Sequence, residues 1–438
     1  MHTATRTLGL LVLGAWLLAA VPAALALSPS DLPSGPPPPS TPRSDGSSAP
    51  LLVGFRDGTS AARRRAVIRK VSGVRDGQVG RLPVDRVQPG SGLSRAGLKA
   101  RLLRRPEVRF VEPDYDLTVS TEPNDFYYPL QWGLNPDSGV GTSATSAWSE
   151  RTSCSKVAVL DTGIDYTHPD LKDNVWKNSK ETPNNGRDDD DNGYVDDYYG
   201  VDIRKGSGSG ADDNGHGTHV AGIIGARGNN STGVTGVCWS ASIMAVKFMG
   251  ANGAGRTSDA AEGIEYATRK GAKVINASFG ADEKSSTLEE AIDYAKENGV
   301  LIVTAAGNDG RDADSSPVYP GSYSDGNILN VAATTDADKL ASFSNYGDSS
   351  VDVGAPGEDI ASTAMGGGYM LMSGTSMAAP YAAGMAAMLR AENSGAATYS
   401  NLRTGIRQKV DKPSALSNKV VYDGRVDVNR ALYYIQSK

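Results

Sequence analysis

Only two of the 438 residues are cysteine and only four are histidine. Cys154 and Cys238 lack the C-x-x-C spacing of a redox or zinc site. Four histidines leave few candidates for a proton acceptor or a metal ligand. Long apolar runs are equally scarce. One runs from Leu8 to Leu25, and no later stretch is apolar enough to cross a bilayer. There is no internal repeat, and the basic residues carry neither a nucleic-acid motif nor aromatic interleaving. Glycine, by contrast, is abundant at 51 residues, which points to many tight turns rather than disorder.

The single apolar run follows Arg6 and ends in Ala24-Leu25-Ala26, an A-x-A type cleavage site, so residues 1–26 read as a secretory signal; the rival reading is an uncleaved membrane anchor. Export makes Cys154 and Cys238 candidates for a disulfide, with two buried free thiols as the alternative. Residues 27–50 are rich in Pro and Ser, have no hydrophobic period and read as an extended linker.

Charge divides what remains. Residues 51–112 hold 15 Lys and Arg against 5 acids, whereas residues 113–438 hold 27 against 43. The basic segment alternates strand-like runs ("PLLVGF", "VRFVEP") with helix-like stretches at Ala61 to Val71 and Leu93 to Leu103, a small α+β module at 51–117. A basic module facing the acidic domain attached to it is a simpler reading than nucleic-acid binding.

From about Cys154 the pattern alternates between strands ("KVAVLD", "SIMAVKF", "KVINASF", "VLIVTAAGN", "NILNVAATT") and helical periods such as Ser258 to Lys270 and Thr287 to Asn298. The strands are near-continuous apolar runs, as in a parallel sheet buried on both faces. The expected class is α/β with a doubly wound parallel sheet over 118–438, its active residues at the carboxyl ends of the strands. Two helices, near Tyr399 to Val410 and Val426 to Gln436, close the chain.

Chemistry-bearing residues gather at those ends. "VAVLDTGID" puts Asp161 at the end of the first buried strand, where an acid is costly without a partner. "VTAAGN" puts Asn308 at the end of another, and "SGTSMAAPYAAGMAAML" puts Ser376 where a helix of small residues begins. A serine nucleophile needs a base, a histidine base needs a carboxylate to fix its tautomer, and a tetrahedral oxyanion needs an amide donor. His2 leaves with the signal. His168, in a "THPD" turn, reads as structural. His216 and His219 are three apart, but Gly217 stands where a zinc helix would have Glu, and His219 falls within the following helix. His216, at the helix start among glycines, has room for substrate.

"VLDTGID", "GHGTHVAG", "AAGN" and "GTSMAAP" occur in this order, and from about Asn124 to the C-terminus the chain resembles the subtilisin-like serine proteases. The resemblance implies Asp161 as the acid, His216 as the base, Ser376 as the nucleophile, and Asn308 with the backbone N–H of Ser376 as oxyanion donors. It implies that Ser278 to Gly280, in "INASFG", pair with an extended substrate and wall the pocket for the residue before the scissile bond. It makes the basic module an inhibitory prosegment, with the mature start between Tyr115 and Asn124. It also supports a Cys154–Cys238 bridge loosely, since the strands after these residues are neighbours in that fold. A secreted, monomeric endopeptidase acting on protein or peptide substrates is expected. A catalytically silent binding protein and a narrow processing protease are the alternatives.

"NNGRDDDDNGYVDDYYG" packs like charges densely, which is unfavourable unless they are solvated, as at a plain loop tip, protonated, or neutralised by a cation; the spacing points to the cation. Asp188, Asp190 and Asn192 alternate, Gly193 provides a turn, Tyr194 offers a carbonyl and Asp196 falls at the ninth position. This is the first half of an EF-hand-type calcium loop. Tyr199 replaces the bidentate Glu at position twelve, so Asp197 or a remote acid must complete the shell. The family pattern suggests a second site at Asp125, Asp170 and Asn230. Oxygen ligands without thiols or paired imidazoles favour Ca2+.

Overall fold

Strands that must be covered on both faces read as unbroken apolar runs, and this sheet shows why. In the Ser153–Asp161 strand, Val157 and Val159 point to one hydrophobic cluster while Ala158 and Leu160 point to another. Neither face meets water. The computed structural model describes residues 25–27, 50–114, 122–135 and 139–438. Most of the apolar run and of the Pro/Ser-rich stretch lie outside the described residues, as do residues 115–121 of the stretch from Tyr115 to Asn124 in which the mature start is expected.

The described residues form two compact units, one within Pro38–Val119, the other comprising Ser120–Lys438 with the short N-terminal strand. The larger unit is built on a ten-stranded sheet. At its centre, Ser153–Asp161 lies between Val274–Ala277 and Ser240–Lys247, parallel to both. Leu301–Ala305, Ile328–Thr334 and Val353–Pro356 continue the parallel order outward. Helices Thr257–Arg269 and Ser286–Glu297 cover one face, and His216–Gly225, Thr375–Glu392 and Val428–Gln436 cover the other. This is the doubly wound α/β fold the alternation implied.

The Thr375–Glu392 helix lies almost wholly buried against the sheet, which its alanines and Gly384 permit. A Cβ on Gly384 would lie 2.9 Å from Val237 Cβ and 3.2 Å from the Ile224 carbonyl oxygen. Leu25–Ala26, the expected cleavage site, pairs antiparallel with Met370 and Leu371 in a separate small sheet.

The smaller unit is a four-stranded antiparallel sheet with helices Ala61–Lys70 and Arg95–Leu103. Strands Gly73–Gln78 and Val84–Pro89, which carry little apolar signal, complete it. Its fully buried Asp85 is paired by Arg75 at 2.6 Å and Arg64 at 3.3 Å.

One covalent link closes the larger unit. Cys154 and Cys238 are bonded, with Cα atoms 5.8 Å apart across 84 residues.

Candidate active site

Asp161, 1 % exposed, ends its strand with Oδ1 accepting from Thr162 N and from His216 Nδ1, both at 2.7 Å. Two glycines make that contact possible. Gly215 holds φ +106° just before the helix that His216 opens. A Cβ on Gly217 would lie 2.1 Å from the Gly163 carbonyl oxygen and 3.2 Å from Asp161 Oδ1. Any larger residue would push the helix off the strand end.

The loop before His216 is fixed by a residue that the sequence motifs did not single out. Asp212 accepts five hydrogen bonds, from Thr162 Oγ1, Asn214 N, Gly215 N, Thr218 N and Thr218 Oγ1. Burial pushes its carboxyl up, but these donors outweigh it and hold the pKa below the usual 3.8. Lys247, 1 % exposed at the end of the neighbouring strand, donates to Thr162 O at 2.5 Å, Asp213 Oδ1 at 2.6 Å and Met249 O at 2.8 Å. The backbone beside Asp161 is thus tied from two sides.

Burial also opposes charge on His216, yet the Asp161 carboxylate, aided by Asp212, prevails and holds the imidazole above the usual 6.5. His219 differs. Burial drives it down to about 3, and its Nε2 lies 3.2 Å from the Met370 carbonyl, so it is a neutral core residue. His168 bonds the Gly368 carbonyl through Nε2 at 2.9 Å and accepts from Asp170 N at Nδ1. The two imidazoles of "GHGTH" are therefore not a metal pair.

Asn308 follows the Leu301–Ala305 strand. Its Oδ1 accepts from Thr375 N at 2.8 Å and Thr375 Oγ1 at 2.9 Å. A backbone N–H can only donate, so the side-chain oxygen must face Thr375 and Nδ2 must face away. A Cβ on Gly374 would lie 3.5 Å from Asn308 Nδ2 and 3.7 Å from Ser376 N. Two donors thus converge on one open space.

Ser376 stands in the first turn of the Thr375–Glu392 helix. Pro380, four residues on, has no N–H for the Ser376 carbonyl. Ser278 Oγ donates to that carbonyl at 3.1 Å, while Ser376 Oγ donates to the Ser278 carbonyl at 3.2 Å. Ser278 follows a strand that pairs directly with that of Asp161. Acid, base, hydroxyl and amide therefore occupy the carboxyl ends of adjoining parallel strands or the starts of the helices packed on them.

A sequence profile described as the Subtilase family matches residues 153–422. The chain belongs to the subtilase family. It is 38% identical over 392 residues to a thermophilic serine proteinase of a Bacillus species, covering 88% of this chain and 87% of that one. It is 39% identical over 319 residues to thermitase of Thermoactinomyces vulgaris, covering 71% and 99%. A solved protease structure from Pseudoalteromonas arctica superposes with a TM-score of 0.61 at 30% identity, covering 72% of this chain and 99% of that one. This subtilase is a serine endopeptidase, and protein is its substrate class. None of the helices among the described residues is long and apolar enough to cross a membrane.

The subtilase's acidic loop is more selective than its sequence. Carboxylate oxygens of Glu181, Asp188 and Asp190 lie within 4.8 Å of one another. Glu181, 5 % exposed, has one oxygen held by Asp189 N and Asp190 N, and its other oxygen, Oε2, is buried without a partner. It lies outside the run of aspartates, so the loop's spacing did not reveal it. Asn192 Nδ2 donates to Asp190 and Asp197, and Lys270 Nζ lies 2.6 Å from Asp190 and 3.4 Å from Asp197. Tyr194 turns its hydroxyl to Glu262. Asp196 is not gathered into the cluster. Its two oxygens accept from Asn185 N and Gly186 N, because its left-handed backbone turns the side chain to that bend.

The other acidic group does assemble. Asp125 is 3 % exposed and Asp170 fully buried. Asp170 accepts from Asn230 Nδ2 at 2.8 Å and Val234 N at 3.0 Å, and Asp125 Oδ2 accepts from Asn229 N at 2.7 Å. Asp125 Oδ1 has no partner. Burial, with the charge of Asp170 adding to it, pushes Asp125 up to about 6. Buried carboxylate oxygens without donors suit a hard cation in both places.

Proposed function

We propose that this subtilase is a secreted endopeptidase, made as a zymogen and stabilised by Ca2+, with Asp161, His216 and Ser376 as its catalytic triad. The observation that carries the reading is the 2.7 Å bond between Asp161 Oδ1 and His216 Nδ1. It commits the Nδ1 proton to the acid and leaves the Nε2 lone pair as the base.

The chemistry follows from this arrangement. Ser376 Oγ bonds to the substrate carbonyl carbon as its proton passes to His216 Nε2. The displaced carbonyl electron pair becomes an oxyanion, held by Asn308 Nδ2–H and Ser376 N–H. Collapse breaks the C–N bond, and the amine leaves with the proton from His216. Water then repeats the sequence on the acyl-enzyme and frees Ser376. Asp161 stabilises the imidazolium without taking its proton. Ser278 to Gly280 bind the substrate backbone as an added strand.

Glu181, Asp188 and Asp190, with Asn192, Asp197 and the Tyr194 carbonyl, would hold one calcium ion, and Asp125, Asp170 and Asn230 another. Bound calcium supplies folded-state stability rather than catalysis. The basic unit acts as the chain's own inhibitor until cut away, and export precedes activity.

Ser376→Ala tests the reading. The variant is expected to hydrolyse no peptide and to accumulate as a precursor of nearly full length. Maturation of the purified variant would assign the cut to another protease, and full activity would remove Ser376 from its role.

A further inference from the structure

We propose that Asp212 is a positioning residue for the reaction: its carboxylate cancels the positive end of the helix that His216 opens, so that His216 can carry a proton there in the transition state. The proposal rests on the reading of His216 as the base given above.

A base at the start of a helix meets an electrostatic obstacle. The N–H groups of the first turn amount to roughly half a positive charge, which repels an imidazolium. His216 is the first residue of the helix His216–Gly225, and Gly215 before it has no side chain to cap the turn. The first-turn donors are met from outside the helix instead. His216 N donates to Asn214 Oδ1 at 3.2 Å, Gly217 N to Thr162 Oγ1 at 2.9 Å and Thr218 N to Asp212 Oδ2 at 2.9 Å. Of these three acceptors, Asp212 is the one that carries a charge. Asp212 Oδ1 also accepts from Gly215 N at 3.0 Å, so one carboxylate grips the backbone on both sides of the base.

Thr162 links this carboxylate to the acid. Its Oγ1 donates to Asp212 Oδ1 at 2.8 Å, and its N–H donates at 2.7 Å to Asp161 Oδ1, the oxygen that holds His216 Nδ1. The other ionisable groups around the base are occupied elsewhere. Lys247 is paired by Asp213 at 2.6 Å. Asp165 turns its oxygens to Thr167 and to Gly366 N. His219, three residues along the same helix, is neutral. Among the described residues, Asp161 and, after it, Asp212 are the groups whose charge favours the imidazolium against burial. That charge is absent from the resting base and appears as Ser376 gives up its proton. Asp212 therefore acts on kcat rather than on KM.

The test uses the purified mature enzyme and one peptide anilide, with kcat and KM followed across the acid limb of the pH profile. Asp212→Asn keeps the shape of the side chain and removes its charge. Above the limb the variant is expected to lose about threefold or more in kcat with KM little changed, the scale of a charge at a helix end. Its limb is expected to lie lower by about half a pH unit or more, so that the two enzymes converge as pH falls. A residue that merely held the loop in shape would give the same variant-to-native ratio at every pH. Asp212→Glu keeps the charge and should keep the native limb even where it loses kcat. If Asp212→Asn does not fold, Thr218→Val carries the test. It strips Asp212 of the Thr218 Oγ1 donor, leaves the charge less offset and is expected to raise the limb. An unmoved limb in whichever of these two variants folds, or one displaced equally by Asp212→Glu and Asp212→Asn, would overturn the role of the Asp212 charge alone. A native enzyme without an acid limb, or a Ser376→Ala variant that cuts as native does, would overturn the protease reading instead.

Discussion

Pro380 withholds an N–H from the Ser376 carbonyl, and Ser278 supplies the missing donor from another strand. Ser376, the proposed nucleophile, is thereby held by Ser278 rather than by its own helix. Ser278→Ala is expected to cost more in the native background than in a Pro380→Ala background, where the helix can satisfy the carbonyl itself. A double-mutant cycle on kcat/KM and melting temperature should give a coupling above about 0.5 kcal/mol, and additivity would mean that the bond has no role. Asn308→Ala is expected to lower kcat by about 10²–10³ with little change in KM, the figure known for such a donor in subtilisin, a member of this same family. A change in KM alone would make Asn308 a ground-state binding residue. The proposed base imposes a pH limit. To act as that base His216 must be neutral, and its pKa is held above 6.5, so kcat/KM should fall through an acid limb centred above that value. A limb centred below pH 6.5 would mean that Asp161 does not hold the charge on the imidazole.

At the level of elements, the two proposed calcium sites predict how stability depends on cations. Chelation should lower the melting temperature, and added calcium should restore it. Glu181→Ala should shrink that difference although the residue lies outside the aspartate run, and an unchanged difference would remove it from the shell. Asp125 fixes the pH window. Its folded-state pKa of about 6 lies above its ordinary 3.8, so in chelated protein the folded state keeps a proton that the unfolded state releases. Stability of the chelated protein therefore falls, through this group, as pH rises from about 4 to 6. Calcium binding prefers the ionised carboxyl, so the stabilisation by calcium should widen over the same rise. A calcium effect independent of pH across that range would exclude Asp125. The loop also marks a limit of the sequence. The apolar period announced nearly every buried strand and helix because solvent exclusion is written into residue type. The Val353–Pro356 strand of the main sheet, the hairpin Ile360–Ala364 and Gly368–Met372 and two strands of the basic unit escaped, being short or half polar. Glu181 and Asp212 escaped for another reason. Each acts through a contact with residues distant along the chain or through a turn geometry, and spacing within one motif carries neither.

At the scale of the molecule, four short motifs foretold the fold because a parallel sheet brings its carboxyl ends to one edge, and residues placed there in sequence become neighbours. The Cys154–Cys238 bridge adds a property that no motif states. Asp161, His216 and the acidic loop all lie inside the 84-residue span that it closes, and Ser376 lies outside it. In the chain-entropy picture such a closure is worth on the order of 4 kcal/mol against the unfolded state. For an enzyme that cuts proteins, its own copies are substrates, and an exposed acidic loop emptied of calcium is an evident place to be cut. A single cut between Asn184 and Gly200 would leave both pieces joined through sulfur. Such nicked enzyme should run as one band without reductant and as two with it, and should keep most of its activity. If nicking separates the pieces without reductant, the bridge does not persist in solution. That outcome would make the disulfide a hinge pin for damaged molecules, with the first self-inflicted cut leaving an enzyme that works rather than one that falls apart.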